Sequence, residues 1–157
     1  MTRARLLWAA PLLTAAAVAV WPTPVLTVTT AHPGRVLVRA SLSTPLEVRL
    51  QYVHSVERSL VAEYYLADRR GLRLVRMEFA AQGAGMPSGG YVREGDRFVL
   101  RTDRLLATLV VRVSGTGQRL WVGEEVFDLT GVTGEGGTVT VAVRAAPRLP
   151  VLRGMLY

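Results

Sequence analysis

The sequence predicts an all-β protein: a single antiparallel β-sandwich preceded by an N-terminal hydrophobic segment that acts as a signal or a membrane anchor. Three observations predict it. Beyond residue 30, apolar residues recur with a period of two in short runs. Glycine, proline and charged residues punctuate those runs about every eight to twelve residues, the rhythm of sandwiches. No stretch of the domain sustains a helical period. An immunoglobulin-like arrangement is compatible with the pattern, and a small barrel is the alternative, because strand spacing does not encode topology.

The first element is the leader. Met1 to Arg5 is short and carries Arg3 and Arg5, and Leu6 to Val20 holds no charge. A positive start followed by an apolar stretch is the pattern of an export signal. Ala17-Val18-Ala19 offers a small-x-small cleavage site, yet the uncharged run continues to Ala31 and is long enough to span a bilayer. Pro11, Pro22 and Pro24 favour a break near Trp21. The expected division is therefore 1–26 as signal or anchor and 27–157 as the sandwich. Under the positive-inside rule everything after residue 30 is exported.

The strands follow in order. Val36 to Ala40 is one run, and Leu46 to His54 alternates cleanly, with Leu46, Val48, Leu50, Tyr52 and His54 on one face and Glu47, Arg49 and Gln51 on the other. Val61 to Ala67 and Leu72 to Ala80 form a hairpin across Asp68-Arg69-Arg70-Gly71, whose glycine suits a positive φ. Further strands are expected at Arg97 to Arg101, Leu105 to Val113, Arg119 to Leu129 and Thr138 to Ala145. The tail from Pro147 to Tyr157 is expected to pack as an edge segment or to lie on a partner.

Composition narrows the function classes. A chain of 157 residues, half of them apolar, supports one core. It has no cysteine, so packing and not disulfides must hold it. All 19 basic residues are arginine, and with Arg3 and Arg5 in the leader, 17 arginines against 12 acids leave +5 on the domain. These arginines are spread along strands and turns without interleaved aromatics on one face, which argues against a nucleic-acid partner.

Polar chemistry gathers at Tyr52-Val-His-Ser-Val-Glu57, at Glu63 on the next strand, and at Gln82-Gly-Ala-Gly-Met-Pro87. Tyr52 and His54 lie on the core face of their strand, where an unpaired polar group costs roughly 1 to 3 kcal/mol. Ser55, Glu57, Glu63 and the backbone of Gly83 to Gly85 are the candidate partners. A Ser-His-acid triad is disfavoured because Ser55 directly follows His54, so the two side chains diverge on an extended strand. Zinc is disfavoured because His32 and His54 are the only histidines of the domain and there is no cysteine. Glu57, Glu63 and loop carbonyls lack the dense acidic loop that calcium favours. No cofactor and no catalytic residue is expected. Two readings remain: a buried His54–Glu63 pair that pins strands and loop, or a recognition surface built from Tyr52, His54, Ser55, Glu57, Glu63, Gly83, Gly85, Met86 and Pro87.

The motif Tyr-x-His-Ser-Val-Glu at 52–57, the following Glu63 and Gly-Ala-Gly-Met-Pro at 83–87 resemble the signature of the domain-of-unknown-function 1850 family, over about Thr27 to Asp128. Arg58-Ser59-Leu60-Val61 departs from the Pro-Val-x-Glu step common there. Members are often encoded beside TAXI-type TRAP transporters, the binding-protein-dependent secondary carriers of bacteria and archaea. The resemblance implies a non-catalytic extracytoplasmic accessory or interaction module, with a TRAP-type permease or solute-binding protein as partner and the membrane reached through the N-terminal segment. The rival class is a small extracytoplasmic hydrolase using His54 with Glu57 or Glu63.

Overall fold

The computed structural model describes residues 22–147 except 84 and 116. Eleven strands and one short helix follow in order: β1 (Pro22–Thr30), β2 (Val36–Ser41), β3 (Leu46–Val53), β4 (Leu60–Asp68), β5 (Gly71–Phe79), β6 (Tyr91–Glu94), β7 (Arg97–Leu106), β8 (Leu109–Arg112), β9 (Arg119–Val122), β10 (Glu125–Asp128), α1 (Leu129–Thr133) and β11 (Thr138–Pro147). They build a four-stranded sheet ordered β2-β1-β11-β8 and a seven-stranded sheet ordered β10-β9-β3-β4-β5-β7-β6. Every strand pair is antiparallel. The sheets pack as the expected sandwich.

The alternation read from the sequence decides what lies between the sheets. Val48 and Leu50 of β3, Tyr65 and Ala67 of β4, Leu72 of β5 and Leu120 and Val122 of β9 meet Leu26 and Val28 of β1 and Val139 and Val141 of β11. Each fully buried Val or Leu of this set contributes on the order of 1.5–3 kcal/mol through apolar area removed from water. The β4–β5 hairpin has the predicted turn, with Gly71 at φ 132°.

Three boundaries differ from the expectation. Residues 22–26, assigned above to the leader, belong to β1, which lies between β2 and β11; Val25 and Leu26 are buried and pair with Arg144 and Val143. A run that is apolar because it fills a core reads the same as one that is apolar because it enters a bilayer. The rest of the expected leader, 1–21, lies outside the described residues, as does the tail from 148. Second, the strand expected at Leu105 to Val113 is divided: its first two residues end β7 in the large sheet, and β8 begins at Leu109 in the small one. The chain crosses between sheets at Ala107 and Thr108, and continuous apolar residues on both sides hide the crossing. Third, Arg119 to Leu129 is a hairpin, β9 and β10, turning at Gly123-Glu124, with Leu129 opening α1. The Asp128 side chain caps this helix by accepting from the Gly131 N–H at 3.1 Å. β6 was not expected; it is a four-residue edge strand paired to β7 across Gly95-Asp96. No helix among the described residues is long and apolar enough to cross a membrane.

Candidate functional site

The residues singled out by sequence form two groups that share the end of β3. The first lies inside the sandwich. Antiparallel pairing sets Leu50 opposite Glu63 and Tyr52 opposite Val61, so the period of two that buries Val48 and Leu50 also turns Tyr52, Glu63 and Tyr65 toward the small sheet. A carboxylate on a core face needs donors. It has two: the Tyr52 hydroxyl donates to Glu63 Oε1 at 3.0 Å, and the Tyr65 hydroxyl donates to Oε2. Burial, then the charge and hydrogen bond of Glu63, raise the ionisation of both tyrosines well above their ordinary range, while Arg104 opposes the shift at Tyr65. Both hydroxyls thus stay protonated and act as donors at neutral pH.

These groups border a cleft of about 380 Å³ between the sheets, whose wall includes Met77, Arg104, Leu109 and Gln118. Gln118 is buried and satisfied locally: its carbonyl accepts from the Ser114 N–H at 2.8 Å and its amide donates to the Arg112 carbonyl at 3.4 Å.

The second group is the β3–β4 connection. The His54 N–H donates to the Ser59 carbonyl at 2.8 Å, and the Arg58 N–H returns to the His54 carbonyl at 2.8 Å, which closes a tight loop with Arg58 at φ 49°. The His54 ring braces it from the side, with Nδ1 accepting from the Glu57 N–H at 3.3 Å. In the neutral ring the proton is therefore on Nε2. Nε2 lies 3.7 Å from where a Cβ on Gly85 would stand, and a Cβ on Gly83 would collide with the Glu57 carboxylate. The loop of 83–87 is itself a turn, with the Met86 N–H donating to the Gly83 carbonyl at 3.0 Å and Gly85 at φ 85°. Torsion thus explains glycine at 85, whereas a side chain at 83 would displace the Glu57 carboxylate. Met86 and Pro87 are half-buried; Ser55 is exposed and Val56 is 66% exposed.

The structure therefore sets Glu57 beside Gly83 and His54 beside Gly85, and it does not pair His54 with Glu63. Glu63 is taken by the tyrosines. Tyr65 was missed by sequence reasoning, although it stands two residues beyond Glu63 and so on the same face of β4. Arg104 was missed because its approach depends on the pairing of Leu74 with Arg104, which only topology supplies.

The family model described as Domain of unknown function (DUF1850) matches residues 48–129. The chain belongs to this family. The DUF1850 match starts later than the resemblance noted in the sequence, at Val48 and not near Thr27. It takes in nearly all of the seven-stranded sheet and both groups of site residues, and it leaves out β1, β2 and β11. No curated protein and no solved structure matches the chain.

Proposed function

We propose that this DUF1850 chain is a non-catalytic extracytoplasmic interaction module of a TAXI-type TRAP transport system, and that it meets its partner through the loop Ser55–Arg58. One observation carries the reading: the loop is braced by hydrogen bonds from both ends and by the His54 ring, yet it holds Val56 out into solvent. Val53 and Leu60, paired at the base of the loop, add exposed apolar surface beside it. A rigid loop that displays apolar side chains is the economy of a docking element, since little entropy remains to be lost on binding.

The direction of the His54 hydrogen bond supports a non-catalytic role. A general-base imidazole is oriented by an acceptor that takes its Nδ1–H, whereas here Nδ1 is itself the acceptor. Both oxygens of Glu63 are engaged by tyrosines. The choice of transport system rests on the family's frequent genomic company, and export rests on Arg3, Arg5 and the uncharged stretch after them. The solute is then carried by the permease and its binding protein, and this module contacts one of the two.

The test is co-purification. A tagged chain expressed with the permease and binding protein encoded beside it should retain one of them, and Val56→Asp should lose it without a change in melting temperature. Retention unaffected by Val56→Asp, or no retention at all, contradicts the proposal.

A further inference from the structure

The outer face of the seven-stranded sheet carries a second site. Contrary to the dispersed arginines expected from sequence, register places Val126, Trp121, Arg49, Tyr64, Arg76 and Arg101 side by side across six strands, so arginines and aromatics alternate on one face. Within that row the Arg49 guanidinium lies over the Trp121 ring, 3.8 Å from its centroid, and Arg76 stands 5.5 Å from the Tyr64 ring. Of the other arginines of this face, Arg73 pairs with Asp68 and Asp103, Arg76 and Arg97 share Glu78, and Arg101 pairs with Glu94, while Arg119 has no carboxylate within salt-bridge distance among the described residues. Arg49 has no carboxylate within salt-bridge distance among the described residues, and unlike Arg119 it lies over an indole; its Nε is buried without an acceptor, as are those of Arg73 and Arg76.

Beside Arg49 the face is hollowed into a groove of about 530 Å³, lined by Glu47, Tyr64, Leu66, Val75, Trp121 and Gly123. The hollow has a local cause. Val75 is an extra residue in β5, without a partner on either β4 or β7, and the bulge it makes shifts the register of the strands to each side.

We propose that this groove binds a small organic carboxylate with an apolar body, the carboxylate on the free edge of Arg49 and the body over Leu66, Val75 and Tyr64. The chemistry follows from the stacking. A guanidinium over an indole has one face covered and keeps its N–H groups for an acceptor at its edge, where a planar carboxylate meets them in the fork geometry that a single ammonium does not supply. The stacking fixes the side chain in advance, which lowers the entropy cost of binding. The volume is that of a small-molecule site, and its walls are mostly apolar with two charged groups, Arg49 and Glu47, so the ligand carboxylate sits on the side of Arg49 away from Glu47. This site is separate from the docking loop and does not depend on its role.

The experiment is calorimetric titration of the full chain with 3-phenylpropanoate and with 3-phenylpropanamide, which keeps the body and removes the charge. Saturable binding of the acid with a dissociation constant below about 1 mM, and at least about tenfold weaker binding of the amide, are expected from the loss of a charge-assisted pair. Arg49→Gln should weaken the acid by a similar factor, whereas Arg119→Gln, on the same face, should not. Val75→Trp fills the groove without touching Arg49 and should abolish binding even if the Arg49 variant proves poorly folded. Equal binding of acid and amide, equal effects of the two arginine substitutions, binding that survives Val75→Trp, or no saturable binding by the wild type would each overturn the proposal.

Discussion

The Tyr52 hydroxyl on β3 donates to Glu63 Oε1 on β4 at 3.0 Å, within the space between the two sheets. Tyr65 completes the arrangement on the other carboxylate oxygen. A charge on a core face is tolerated here because two short-range donors replace the water it loses, and the Tyr52 bond also ties β3 to β4 in the middle of the large sheet.

Removing one donor should therefore be costly. Tyr52→Phe leaves the ring in place and deletes only the hydroxyl, and hydrogen bonds to charged groups are worth about 1.5–3 kcal/mol. Urea denaturation should show a loss near the lower end of that range, because Tyr52 is only half-buried. A midpoint equal to that of the wild type would show that water replaces the hydroxyl without cost.

The same cluster sets an alkaline limit. The ionisation of Tyr52 and Tyr65 is raised in the folded chain above its ordinary value of 10.0. Below that ordinary value both hydroxyls are protonated in either state and the full contribution is present. Above it the unfolded chain releases protons that the folded chain retains, so stability falls as pH rises. Denaturation midpoints should be insensitive to these groups at neutral pH and should decline above about pH 10, with a shallower decline in the Tyr52→Phe, Tyr65→Phe double variant. Parallel declines in the two proteins would contradict the assignment.

The His54 brace has a local readout. In His54→Ala the Glu57 amide loses its acceptor, so its hydrogen exchange should accelerate, with a stability loss of about 1 kcal/mol. Unchanged protection at Glu57 would mean that the turn is held by its backbone bonds alone.

Gly85 is the torsional counterpart. At φ 85° an L side chain is strained, and Gly85→Ala should cost about 1 kcal/mol in thermal or urea unfolding. A stabilising effect, as expected for alanine in ordinary backbone, would contradict the turn described.

Much of this fold was legible because burial on one face of a sheet imposes a period of two. β3 and the β4–β5 hairpin follow directly from Leu46 to His54 and from the turn at Asp68 to Gly71. Period alone does not say which sheet a strand joins, and so the crossing at Ala107-Thr108 and the turn at Gly123 were hidden within apolar runs. β1 was hidden because its apolar residues continue the uncharged run that starts at Leu6. At the site, the need of Tyr52 for a partner was readable, and so was the face of Glu63. The pairing of His54 with Glu63 was not borne by the chain because Tyr65 is nearer, on the same strand and the same face. The stacking of Arg49 on Trp121 joins residues far apart in sequence, and only the register of β3 with β9 makes it visible.

The boundary at β1 can be checked by truncation. A chain begun at residue 22 should retain the cooperative unfolding of the domain, whereas one begun at residue 27 loses the buried Val25 and Leu26 and the pairings of 22–26 with β11. The second truncation should lose several kcal/mol or fail to fold, at roughly 1.5–3 kcal/mol per buried side chain of this size. Equal stability of the two would place the start of the domain after residue 26, within β1.

The most direct test of the docking role is site-specific photocrosslinking in cells. A benzophenone side chain at position 56 samples the surface of the braced loop, and one at position 110 samples β8, where Val110 is similarly exposed at 62%. The account predicts an adduct with the permease or the solute-binding protein from position 56 and none from position 110. No adduct from position 56, or the same adduct from both, would contradict it.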